Sequence, residues 1–168
     1  MWPFETRSTP QDEVGKAFWE VTGKHAAAML RVAHPNDFSK RNWDALLPAY
    51  TEVAAFGLHF ISRTALSDLG QEPRDIFLDA FFPIVERHIP PELKGRLQPL
   101  FNRRDPEYGT CKKIYAENDE PMRGTLMWEF ARNMVPTRDP ITLMHVCSIG
   151  TEMIIALKSE YEKAKAII

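Results

Sequence analysis

The chain has 168 residues, 44% hydrophobic and 26% charged, with a formal net charge of −2. This composition excludes a disordered chain, which combines low hydrophobicity with high net charge, and with 2 Cys it excludes a disulfide-stapled scaffold. Balanced charge gives no global attraction to nucleic acid or anionic lipid. The length suits one domain, 1–168, with residues 1–9 as an N-terminal extension. The outlying number is 13 Pro, against an average usage of about 5%, which at first sight opposes long helices.

The first segment spans Pro10 to Ala33. Thr9 can cap it, Pro10 suits the first helical position, and Asp12 and Glu13 sit where the helix dipole favours negative charge. Val14, Phe18, Val21, His25, Ala28 and Val32 recur on one face, and Pro35 ends the helix. A lone imidazole on such a face reads as a hydrogen-bonded core residue, so His25 is expected inside. A second helix runs from about Asn42 to Leu69 with Gly70 at the stop. Its apolar stripe is broad, from Leu46 through Val53 and Phe60 to Ala65, and Pro48 either kinks it or marks its start. Only Gly70, Gln71 and Glu72 precede Pro73, so a third helix folds back alongside and ends near His88.

The middle of the chain is expected to hold short helices. One covers residues 91–101, weakened by Gly95 and Pro99. Pro106 opens another that carries Tyr108, Cys111 and Tyr115, and Pro121 opens one that carries Leu126 to Met134. Asp139-Pro140 then opens a long helix, about 140–164, apolar almost all round up to Leu157 and therefore expected at the centre. Pro10, Pro73, Pro91, Pro106, Pro121 and Pro140 thus mark first helical positions, while Pro48, Pro83 and Pro99 predict kinks or breaks. No period-two alternation and no Asn-Gly or Asp-Gly pair marks a hairpin. The sequence predicts an all-α helical bundle with four longer helices and two or three short ones.

The sequence has no Walker A loop, Gly-x-Gly-x-x-Gly, His-Glu-x-x-His, Cys-x-x-Cys, Gly-x-Ser-x-Gly or EF-hand loop. Glu52, His59 and Arg63 line one stripe of the second helix, and His145 and Glu152 line a stripe of the last. Carboxylates and imidazoles on facing helices can hold a metal ion, which makes Glu52, His59, His145 and Glu152 a candidate metal set. Against it, Glu-x-x-His is absent, and seven residues separate such groups by about 10 Å along a helix. Solvated or hydrogen-bonded polar faces are the simpler expectation.

Lys94, Arg96, Arg103, Arg104, Lys112 and Lys113 form a basic stretch interleaved by Phe101, Tyr108 and Tyr115. That pattern can hold phosphates and stack bases. Glu117, Asp119 and Glu120 follow at once, so an acidic protein partner or a solvated loop is preferred to nucleic acid. Cys111, read as lying early in a helix beside Lys112 and Lys113, would carry a lowered thiol pKa, whereas Cys147 reads as core.

Trp2, Phe4, Trp19, Trp43, Phe82, Trp128, Ile167 and Ile168 fall off the apolar stripes. Exposed together, such groups make a partner or dimer surface. The N-terminus lacks the cationic and apolar regions of a signal peptide, and no stretch reaches the roughly 20 apolar residues of a membrane span. With the thiols taken as reduced, the expected location is the cytoplasm. The expected function is a non-catalytic protein-interaction module that self-associates as a homodimer, without a cofactor, using Trp2, Phe4, Arg103, Arg104, Lys112 and Lys113. A metal or small-ligand site in the bundle and a nucleic-acid accessory role for residues 94–113 are the alternatives.

Overall fold

The computed structural model describes residues 8–168. Its helices are α1 (Pro10–Ala33), α2 (Pro35–Ser39), α3 (Trp43–Leu69), α4 (Gln71–Arg87), α5 (Leu97–Gly109), α6 (Leu126–Met134) and α7 (Pro140–Ile167). A 3-10 turn, Pro91–Leu93, separates α4 from α5. Helix accounts for 78% of the described residues and no strand occurs among them, so the architecture is all-α, as the sequence predicts.

Local capping sets where these helices begin. The Thr9 hydroxyl accepts from the Asp12 N–H at 3.1 Å, and the Asp12 carboxylate accepts from the Thr9 N–H at 3.3 Å, a reciprocal box at the start of α1. Asp139 accepts from the Thr142 N–H at 2.9 Å to open α7, and Thr125 caps α6. Gly70, with φ +82°, alone joins α3 to α4, which gives the expected helical hairpin its tight turn.

Prolines in the middle of the chain behave differently from the expectation. Pro35 opens α2 as well as ending α1. Pro73 and Pro99 occupy third positions of α4 and α5, where a missing N–H costs no intrahelical bond. Pro48, Pro83 and Pro106 lie within continuous helices, and Pro121 opens none. The break expected near Pro99 falls instead at Gly95, whose φ of +75° interrupts the chain before α5.

The central helix is α3, not α7. It packs against all six other helices, and every residue from Thr51 to Ser62 is buried. α7 is covered by α1, α3 and α6 on one side only, and Ile141, Met144 and Ile155 stay 68%, 58% and 67% exposed. By length and composition α7 also qualifies as a membrane span, contrary to the expectation. Its buried side, with Leu143, Val146, Met153, Ile154 and Leu157, is core packing.

Close helix contacts pass through glycines. A Cβ at Gly15 would stand 2.7 Å from the Ile84 carbonyl oxygen and 2.6 Å from the His88 ring, so α1 and α4 meet backbone to backbone. A Cβ at Gly150 would meet the Met127 sulfur at 2.5 Å, the end of a flexible side chain. Gly15→Ala should therefore lower stability by about 1–3 kcal/mol, as overpacking against backbone does. Gly150→Ala should change it by less than about 1 kcal/mol, because Met127 can move and Ala favours helix. Urea unfolding of the two variants measures the contrast.

Candidate functional site

A helix buried on every side must partner its polar groups internally. On α3, Glu52 is 4% exposed and His59 5% exposed. The partners come from α5, which presents Arg104, Asp105 and Tyr108 on consecutive turns. Arg104 Nε donates to the Glu52 oxygens at 2.8 and 3.1 Å, and the Tyr108 hydroxyl donates to Glu52 at 2.5 Å. His59 Nδ1 donates to Asp105 at 2.7 Å, while its Nε2 is buried without a partner. Arg63 donates to the carbonyls of Cys111 and Lys112 at 2.6 and 2.9 Å, tying down the segment that follows α5.

Aromatic packing covers the Glu52 and Tyr108 end of this network, while Asp105 keeps a face toward solvent. Phe56 stacks on Phe130 at 4.0 Å and meets Tyr108 edge-on, and Asn133 on α6 donates to the Tyr108 hydroxyl at 3.3 Å. Burial, followed by the neighbouring Glu52 charge, raises the Tyr108 pKa well above its ordinary value and keeps the phenol a donor. Burial opposes the Arg104 charge, but its hydrogen bonds to Glu52 and Glu107 outweigh it and hold the guanidinium protonated.

The structure divides the sequence-predicted metal set. Glu52 and His59 sit in the α3–α5 interface, whereas His145 and Glu152 are exposed on α7. Among the described residues no group of three or more His, Cys, Asp or Glu is placed to hold a metal ion. Of the proposed interaction residues, Trp2 and Phe4 lie outside the described residues. Arg103 and Lys112 are exposed, Arg104 is engaged by Glu52 and Glu107, and Lys113 by Glu120. Tyr108, one of the interleaved aromatics, is buried and presents no stacking face. Three of the surplus aromatics sit inward: Trp19 is buried and donates to the Val85 carbonyl at 2.8 Å, and Phe82 and Trp128 pack against the core. His25 takes the expected core role, bonded to the Val21 carbonyl at 2.7 Å.

Concave surfaces accompany these elements. A cavity of about 440 Å³ lies between Trp19, Leu58, Phe82 and Phe101, with Lys94 among its lining residues. Another of about 380 Å³ adjoins Glu52 and is lined by Arg96, Arg103, Arg104 and Asn133. A third of about 340 Å³ lies where α6 meets the start of α7. Sequence reasoning missed this last one, because its arginines are spread over residues 123–138 and form no compact motif. No protein family, curated protein or solved structure matches the chain, so function is argued from its own residues.

Both thiols depart from ordinary values in the same direction. Cys111 lies beyond the end of α5, not in a helix, and burial raises its pKa where a helix start beside Lys112 and Lys113 would have lowered it. Burial pushes Cys147 up to about 11. At pH 8 about one Cys147 thiol in a thousand is thiolate, and the fraction rises about tenfold per pH unit until the pKa is reached. Iodoacetamide labelling of the folded protein should be slow at pH 8 and about a hundredfold faster at pH 10, read by mass at that residue. The network makes its own prediction. Glu52→Ala leaves Arg104 Nε and the buried Tyr108 hydroxyl without their acceptor, with Arg104 keeping only Glu107, and should cost about 2–4 kcal/mol. Tyr108→Phe removes one hydrogen bond to a charge and should cost about 1–3 kcal/mol, both measured by urea unfolding.

Proposed function

We propose that this protein is a self-associating helical module that pairs through the outer face of α7 with a second copy of itself. The observation that carries the reading is the exposed stripe Ile141, Met144, Ser148 and Ile155, flanked by His145 and Glu152. Spacings of three, four and seven place these groups along one side of the helix, as in a coiled-coil seam.

The stripe is self-complementary. With a rise of 1.5 Å per residue, Ile141 and Ile155 lie about 10 Å to either side of Ser148. An antiparallel pair with its two-fold axis at Ser148 therefore sets Ile141 against Ile155 of the second copy. His145 and Glu152 share one edge of the stripe, about 4.5 and 6 Å to either side of Ser148, so each His145 meets Glu152 of the other copy. The small Ser148 lets the helices approach.

Burying these three apolar side chains on each copy supplies about 6–12 kcal/mol, given their partial exposure. Association costs about 4–15 kcal/mol in lost freedom. The two are similar, so the dimer is concentration-dependent.

Light scattering across a dilution series should show dimer dissociating to monomer. Ile155→Glu should shift the midpoint to at least tenfold higher concentration, with helical content unchanged. His145→Glu should weaken pairing, and adding Glu152→Lys should restore it. At the two-fold axis the Ser148 Cα atoms approach to about 5 Å, so with diamide as the oxidant Ser148→Cys should form an intermolecular disulfide while Lys158→Cys does not. A monomer at all concentrations, or a monomer that sediments with lipid vesicles, overturns the reading.

A further inference from the structure

The cavity between α6 and the start of α7 is lined by Arg123, Arg132, Arg138, Trp128, Pro140 and Leu143. No carboxylate lines it. Among the described residues, Arg123 and Arg138 make no ion pair or hydrogen bond, and Arg132 has a single 3.3 Å contact to Glu129 at the surface. In a chain of net charge −2, three arginines line one cavity of about 340 Å³. The floor is apolar: Leu143 is buried and Trp128 half-buried. Trp128 also carries an indole N–H that is buried without an acceptor, a group that ordinarily finds one. Arg138 holds a left-handed backbone conformation, φ 55°, which few non-glycine residues adopt.

We propose that this cavity binds a small organic phosphate. Guanidiniums present paired N–H donors that match phosphate oxygens, and a dianion balances the two free arginines. The carbon part of the ligand packs on Trp128 and Leu143. The cavity is too small to follow a nucleic-acid strand, so the recognised unit is one phosphate with a compact apolar body.

Titration calorimetry of the full-length chain with phenyl phosphate tests this, with inorganic phosphate and succinate as comparisons. One phenyl phosphate should bind per chain, at least tenfold more tightly than either comparison. Arg123→Glu should weaken binding at least tenfold. Arg138→Gly should weaken it equally while leaving the melting temperature unchanged or higher, because glycine relieves the left-handed backbone. Lys24→Glu, the same charge change on the exposed side of α1, should leave binding intact. Absence of saturable binding overturns the proposal. So does equal loss in Lys24→Glu, tighter binding of succinate, or undiminished binding in Arg138→Gly.

Discussion

The constraint on which this fold depends is the burial of charge in the middle of α3. Glu52 and His59 sit on a helix with no solvent-facing side along Thr51 to Ser62. Leaving either unpartnered would cost more than most single contacts return. α5 is therefore held at one position by chemistry as well as by packing, with Arg104 and Tyr108 on Glu52 and Asp105 on His59. From there the constraint passes outward. Tyr108 meets Asn133 of α6, and Arg63 fixes the start of the segment between α5 and α6. That segment in turn offers the carbonyls of Lys113 and Ile114 to the first N–H groups of α6. A second anchor joins α3 to α7, where Asp68 accepts from the Tyr161 hydroxyl at 2.8 Å and from Lys165 at 2.6 Å.

The ends of the long helices were legible because local chemistry decides them. Thr9-Pro10, Gly70 and Asp139-Pro140 each satisfy or interrupt the backbone without help from distant residues. The middle was not legible, because a proline reads alike at a first position, a third position or an interior one. Only the packed chain shows that Pro106 lies within α5 and that Gly95 makes the break. The polar stripe of α3 was found in the sequence but its environment was not. Amphipathic reasoning turns such a stripe to solvent, and here a further helix covers it. Arg104, Asp105 and Tyr108 form a matching set of one cation, one acceptor and one donor. Their spacing was visible, while their alignment with Glu52 and His59 depends on how α5 crosses α3.

α7 inverts the usual relation between composition and position. Its sequence is apolar on nearly every side, yet only one side is covered, and the remainder faces outward beside His145 and Glu152. Stability and surface chemistry are thereby separated. The buried charges of α3 maintain the body of the protein, while the outer side of α7 and the arginines near its start stand clear of that network and can be altered without disturbing it.

The most extensive helix contact joins α1 to α7, the first and last helices of the chain. During synthesis, α1 emerges on the order of ten seconds before α7 at ordinary elongation rates. Through that interval the side of α1 that packs on α7 lacks its cover, although Phe18 can already meet Phe81 of α4. Closing a loop of this length is slow compared with pairing adjacent helices. The α3–α4 hairpin can form as it is made, but the body closes only once α7 has been made and has left the ribosome.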